Sequence, residues 1–268
     1  GDAKREVPII VAGDIFHRWN SPAELINMML SSMPDKVYAI PGNHDLENHS
    51  LETIKRTAYW TLVEAGKIVP IDGMGSGNPM IIADKILAFP FPYGEEVRPL
   101  DGRGHDLYQV IAVVHKYVWT DKTRHPGANV NDRLDSFRKQ CQGYDVVVVG
   151  DNHVPFIATK KKPVVVNAGS LMRTTIDQVD YKPRVWILYS DNTVEPYYLD
   201  VSKDVMYDAR DLSRVKVGNE RLVDFLSTMR DLKASAIDFE EAVRRVLQKN
   251  KVNKEVQKMV AAALEMCK

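Results

Sequence analysis

Four stretches of this chain close an apolar run and then release side chains that bind metals: VPIIVAGDIFHR, VYAIPGNHD, AVVHKYVW and DVVVVGDNHVPF. They deliver Asp14, Asn43 with His44 and Asp45, His115, and Asp151 with His153. Carboxylate oxygen, amide oxygen and imidazole nitrogen together suit Mn, Fe or Zn better than Ca or Mg. Gly13, Gly42 and Gly150 precede three of these groups, and glycine permits a sharp exit and a close backbone approach. Singly each piece is ordinary, since Gly-Asp after a strand is usually a turn and a strand-end histidine is usually just hydrogen-bonded. The conjunction of four such exits in one chain points to a metal site.

Donors on separate segments need a rigid frame. The runs Val7 to Ala12, Val37 to Ile40, Val110 to Val114 and Val146 to Val149 are continuous rather than alternating in hydrophobicity. Such runs are strands covered on both faces, as inside an α/β sandwich. In sheets of this kind ligands bind beyond the carboxyl ends of the strands, where the polar groups above lie. In SPAELINMMLSSMP, Ser21 is the expected N-cap with Pro22 at the first helical position. Leu25, Met28 and Met29 then form a core-facing stripe. A second helix is expected over Leu51 to Ala65, a hairpin over 80–89, an exposed loop from Pro90 to Asp106, and a helix over Asn131 to Gln140. From Val154 the texture changes to shorter strands expected to run antiparallel in a second sheet. Residues 201–268 carry three helical apolar stripes, an expected small helical domain following a main domain over 1–200.

The length of 268 residues allows one large domain with such an appendage. Hydrophobic residues make up 44% and charged residues 27%, as in folded soluble proteins. Lys plus Arg and Asp plus Glu balance at 36 each, which excludes a global basic field but leaves room for a local basic groove. Cys141 and Cys267 are far apart and lack metal-type spacing, which reads as reduced thiols in a cytoplasmic protein. No apolar run approaches the length of a membrane span, and the polar start is unlike a signal peptide.

The series GDIFHR, GNHD, VVH and GDNH, in this order over roughly residues 7–200, resembles the calcineurin-like metallophosphoesterase family. The trailing NAGSLMR at 167–173 is similar to a stretch common after that family's last metal motif. Within the family, the GDIFHRWNSP opening and helical C-terminal part look most like the nuclease subunit of SbcCD-type DNA-repair exonucleases, phage versions included. The resemblance implies a four-layer αββα sandwich of two mixed sheets with a small C-terminal helical appendage. It also implies two divalent metal ions, Mn first, with Mg, Fe or Zn as alternatives.

Carried over residue by residue, it makes Asp14 the bridging ligand, gives Asn43 and His115 to one metal and His153 to the other, and makes His44 a proton donor oriented by Asp45. Asp151 stands where the family usually has His; as a ligand there it shifts the preference towards Mn or Mg. The family's Asp-x-His pair is absent from the chain and is expected upstream of Gly1, the alternative being a degraded site.

Arg18, Ser170 and Arg173 are candidate contacts for a substrate phosphate, with structural ion pairs as the plainer alternative for the arginines. His49, His105 and His125 fall in polar stretches and read as solvated. Trp19, Tyr117 and Trp119 read as core before they read as base-stacking platforms. The resemblance implies hydrolysis of DNA phosphodiester bonds, with an SbcC-type ATPase subunit and a second copy of the chain as partners and no membrane. Two alternatives stand beside it: a phosphodiesterase of cyclic nucleotides or dinucleotides, and a metal-poor, non-catalytic binding subunit.

Overall fold

The computed structural model describes residues 7–71, 78–100, 107–125, 127–173 and 178–204. The helical domain expected over 201–268 therefore lies almost wholly outside the described residues.

Three parallel strands, β1 (Ile10–Ala12), β2 (Val37–Ile40) and β3 (Ile68–Pro70), form the first sheet in chain order. Six strands form the second: β4 (Met80–Ile82), β5 (Ile86–Phe91), β6 (Gln109–Val114), β7 (Val146–Val149), β8 (Phe156–Ala158) and β9 (Val164–Asn167). Their spatial order is β4-β5-β6-β7-β9-β8, with β5, β6, β7 and β9 mutually parallel and antiparallel strands at both edges. A separate antiparallel pair joins β10 (Arg184–Leu188) to β11 (Val194–Tyr198).

The valine-rich central strands are continuous because both faces of that sheet are covered. Ile111, Val113, Val146 and Val166 pack with Ile40 of the first sheet and with Trp186 and Leu188 of the β10–β11 pair. On the other face Ala112, Val114, Val147 and Val149 meet Phe137 of α3 (Leu134–Gln140). The first sheet is capped on its outer face by α1 (Ala23–Ser32) and α2 (Ala58–Glu64), through Leu25, Met29, Tyr59 and Leu62. The order of layers is thus helix, sheet, sheet, helix: the expected αββα sandwich of an α/β protein. Among the described residues no helix is long and apolar enough to cross a membrane.

Several elements depart locally from the sequence expectations. The helix expected over Leu51 to Ala65 is broken: a 3-10 turn spans Leu51–Arg56, and α2 begins after Thr57. The Thr57 hydroxyl accepts a hydrogen bond from Trp60 N at 3.3 Å, so it starts a new helix rather than continuing the old turn. Arg133, extended at ψ 135°, likewise separates a 3-10 turn at Val130–Asp132 from α3. Ser21 does not cap α1; Pro22 holds the cap position in extended geometry, and the Ser21 hydroxyl donates to Arg18 O. Met29 packs in the core, whereas Met28 is 53% exposed. Finally, β8 and β9 belong to the large sheet rather than a second antiparallel one, because β9 runs parallel to β7 over a valine-on-valine ladder ending at Val149 and Asn167.

Candidate metal centre

The parallel strands bring their carboxyl ends to one place. β1 leaves the sheet through Gly13 and Asp14, both left-handed at φ 92° and 56°. A methyl group on Gly13 would stand 2.8 Å from the Gly42 backbone and collide with the His115 ring. One on Gly42 would collide with the Asp14 carboxylate and come within 2.6 Å of the His115 ring. These glycines let two strand exits close on one histidine. Asp151, at φ 74°, makes a similarly tight exit from β7 after Gly150.

His115 is the centre of this arrangement, its side chain fully buried. Its Nδ1 lies 2.7 Å from the carbonyl oxygen of Ala12. A carbonyl only accepts, so Nδ1 carries a ring proton and Nε2 is the nitrogen directed at the site. Nε2 lies 2.9 Å from Asn43 Oδ1 and 3.5 Å from Asp14 Oδ2. One ligand atom each from Asp14, His115 and Asp151 lies within 4.8 Å of the others. Two carboxylates and an amide oxygen gathered round one imidazole nitrogen need positive charge between them, from a proton or a metal ion. The donor set fits a divalent metal, and Asp14, Asn43, His115 and Asp151 would hold it. Asp14 Oδ1 is itself oriented by His44 N, which donates at 3.0 Å.

The other expected site residues are placed differently. His44 Nδ1 lies 2.9 Å from the carbonyl of His17, and the two rings stack with centroids 5.1 Å apart. By the same logic Nδ1 carries the proton, leaving Nε2 as the atom able to exchange one with a substrate. The group that orients His44 is therefore the His17 carbonyl and not Asp45. Asp45, wholly buried, spends its carboxylate on backbone donors: Phe16 N and Gly42 N at 3.0 Å and Ile15 N at 3.3 Å. It ties the exit of β1 to the turn after β2. Burial, opposed by those three bonds and assisted by the Asp14 charge, raises its pKa to about 6.

His153 is exposed and stands outside the cluster; its carbonyl accepts from Ser170 N at 3.0 Å. The Ser170 hydroxyl closes its own turn on Met172. Arg173 is held by Asp204 and the Val179 carbonyl, each at 3.1 Å, so its plainer reading as a structural ion pair is the one observed. Arg18 is exposed and makes no ion pair among the described residues, which leaves it available to an anion.

Three neighbours of the centre escaped the sequence reading. Tyr93 sets its ring against His115 at 6.3 Å and against His49 at 5.6 Å. It follows the carboxyl end of β5, a fifth parallel exit hidden by reading residues 80–89 only as a hairpin. Asn152, between Asp151 and His153, is buried and donates to Val118 O at 2.9 Å and Thr123 Oγ1 at 3.2 Å. Asn167, also buried, donates from β9 to Asn152 O at 2.7 Å and Val154 O at 2.8 Å, fixing the loop that carries Asp151. Trp119 is core, as expected, with its indole N–H on Asn129 O. Tyr117 donates to Thr123 O at 2.6 Å; burial, and then the Asp151 carboxylate, push its phenol above the ordinary range.

A sandwich of this topology with oxygen and nitrogen donors at its strand ends is the framework of a metal-dependent phosphoesterase. Residues 2–188 match the calcineurin-like phosphoesterase superfamily domain, and the chain belongs to that superfamily. Among solved structures it is similar to one described as a novel archaeal phosphodiesterase, at 16% identity and a TM-score of 0.38, covering 72% of this chain and 84% of that one. No curated protein matches the chain.

Proposed function

We propose that this protein is a divalent-metal-dependent phosphodiesterase that hydrolyses the phosphodiester bonds of DNA, as a repair-type exo- or endonuclease. The observation that carries the metal-dependent part is the convergence of Asp14, His115 and Asp151 ligand atoms within 4.8 Å of one another, with Asn43 Oδ1 2.9 Å from His115 Nε2. A divalent ion there supplies Lewis-acid charge neutralisation and a nucleophile at neutral pH. The chain's own residues do the rest. His44 is held by its Nδ1–H, so its Nε2 is free to take up a proton and, in the imidazolium form, to pass it to the leaving oxygen. Arg18, exposed beside His17, balances the charge of the substrate phosphate. Asp45 fixes the relative position of the two loops bearing Asp14 and Asn43. Mn is the preferred ion, and a second one would need donors beyond these four.

The decisive experiment offers the protein with Mn linear DNA, a cyclic dinucleotide and bis-p-nitrophenyl phosphate. Degradation of DNA that stops on chelation is expected. Cleavage of the dinucleotide with DNA left intact moves the assignment to a small-molecule phosphodiesterase. Metal content well below one ion per chain, with no substrate cut, leaves a non-catalytic binding subunit.

A further inference from the structure

A cleft of about 340 Å³ opens at the edge of the six-stranded sheet, between α3 and β8. Leu134, Ile157 and Ala158 give it an aliphatic floor, with Arg138 on one wall and Lys160 and Lys161 on the other. Lys139 and Lys162 flank these cations in the sequence, and Asp135 is the one acidic residue in the lining. Lys160 and Lys161 are exposed and make no ion pair among the described residues. Lys162 reaches Asp145 at 3.4 Å, yet its side chain is 76% exposed. Arg138 gives one N–H to Ala158 O at 3.0 Å, while its Nε is buried without a hydrogen-bond partner. Among the described residues, a chain of zero net charge thus concentrates an excess of positive charge along one groove.

We infer that this cleft binds the phosphate backbone of a nucleic-acid strand. The inference rests on the phosphodiesterase reading only for the choice of polyanion. An acidic peptide is the competing occupant, and one that bound by adding a strand would need a free sheet edge. Here β8 has three residues, and Arg138 already covers the Ala158 carbonyl, so the edge is blunted. A backbone of regularly spaced phosphates needs cations on both walls rather than a free edge, which is what the cleft offers. The chain between His153 and Lys160 runs through β8, so a strand laid along it leads from the cleft towards the loop that carries Asp151.

The test is the salt dependence of binding a fluorescent single-stranded oligonucleotide, followed by anisotropy in EDTA so that nothing is cleaved. K160Q/K161Q should lower the slope of log affinity against log salt by about 1.4, two single-strand contacts' worth. K160E/K161E should weaken binding roughly tenfold or more at low salt. Bis-p-nitrophenyl phosphate hydrolysis with Mn should stay unchanged in both variants, which also certifies their fold. Unaltered affinity and slope in the Gln pair would overturn the inference while leaving the phosphodiesterase reading standing. So would displacement of the oligonucleotide by polyglutamate as readily as by an unlabelled strand, which assigns the cleft to an acidic protein. Lysine-dependent binding in a protein that hydrolyses no phosphodiester would instead uphold the cleft and sink the catalytic reading.

Discussion

At the scale of single residues, His115 and His44 share a device. Each ring donates Nδ1–H to a main-chain carbonyl, Ala12 O or His17 O, and so points Nε2 at the site. They differ in what Nε2 meets. That of His115 faces two oxygens in a buried setting, so His115→Ala should abolish metal binding by calorimetry. His44→Asn should leave metal content intact while lowering turnover by roughly a hundredfold or more, the range of a lost general acid. Loss of metal in that variant would refute its non-ligand role. Asp45 gives a third prediction, through stability. Its folded-state pKa of about 6 lies above the unfolded value of 3.8, so the native state holds its proton more tightly. Between pH 4 and 6 the unfolding free energy of metal-free protein should therefore fall as pH rises, by at most about 3 kcal/mol from this group. Urea titrations at several pH values would show it. Asp45→Asn should lack that slope, because an amide does not titrate in this range.

At the scale of elements, the site depends on how loops leave strands. Gly42→Ala should be both metal-poor and less stable, since its methyl would press on the Asp14 backbone as well as on the Asp14 carboxylate and the His115 ring. Asn167→Ala strips two hydrogen bonds from the backbone of the loop holding Asp151. A cost of about 1–3 kcal/mol in chemical denaturation is expected, with weakened metal affinity beside it. Unchanged affinity would show that Asp151 needs no such support. The motif residues at these exits were legible because glycine, aspartate and histidine after an apolar run constrain local chemistry. Tyr93 and Asn167 were not, because nothing in FPYG or VVNAG says which strand ends share an edge of the sheet. The broken helix at Thr57 has a similar origin: an apolar stripe reports burial, not whether a hydroxyl will restart the hydrogen-bond ladder.

At the scale of the whole molecule, the centre joins exits from both sheets, since Asp14 and Asn43 belong to the three-stranded sheet and His115 and Asp151 to the six-stranded one. A cation held between them would tie the halves of the sandwich and bind only the folded chain. Metal at a hundredfold its Kd should add about 2.7 kcal/mol and raise the melting temperature by roughly 5 °C or more over protein in EDTA. A melting temperature indifferent to Mn would mean that the cluster does not bind it.

The α/β sandwich, the valine strands covered on both faces and the identity of the donor side chains were legible from the residues alone. Those follow from short-range pattern: continuous hydrophobicity, strand length and the residue after the glycine. Which strands run parallel and which donors meet came from the three-dimensional arrangement. It gathered Asp14, Asn43, His115 and Asp151, left His153 exposed, turned Asp45 to the backbone and committed Arg173 to Asp204. The reason is geometric. A strand's pattern fixes that its exit is polar, but the order of strands in a sheet and the left-handed turns at Asp14 and Asp151 fix where that exit aims.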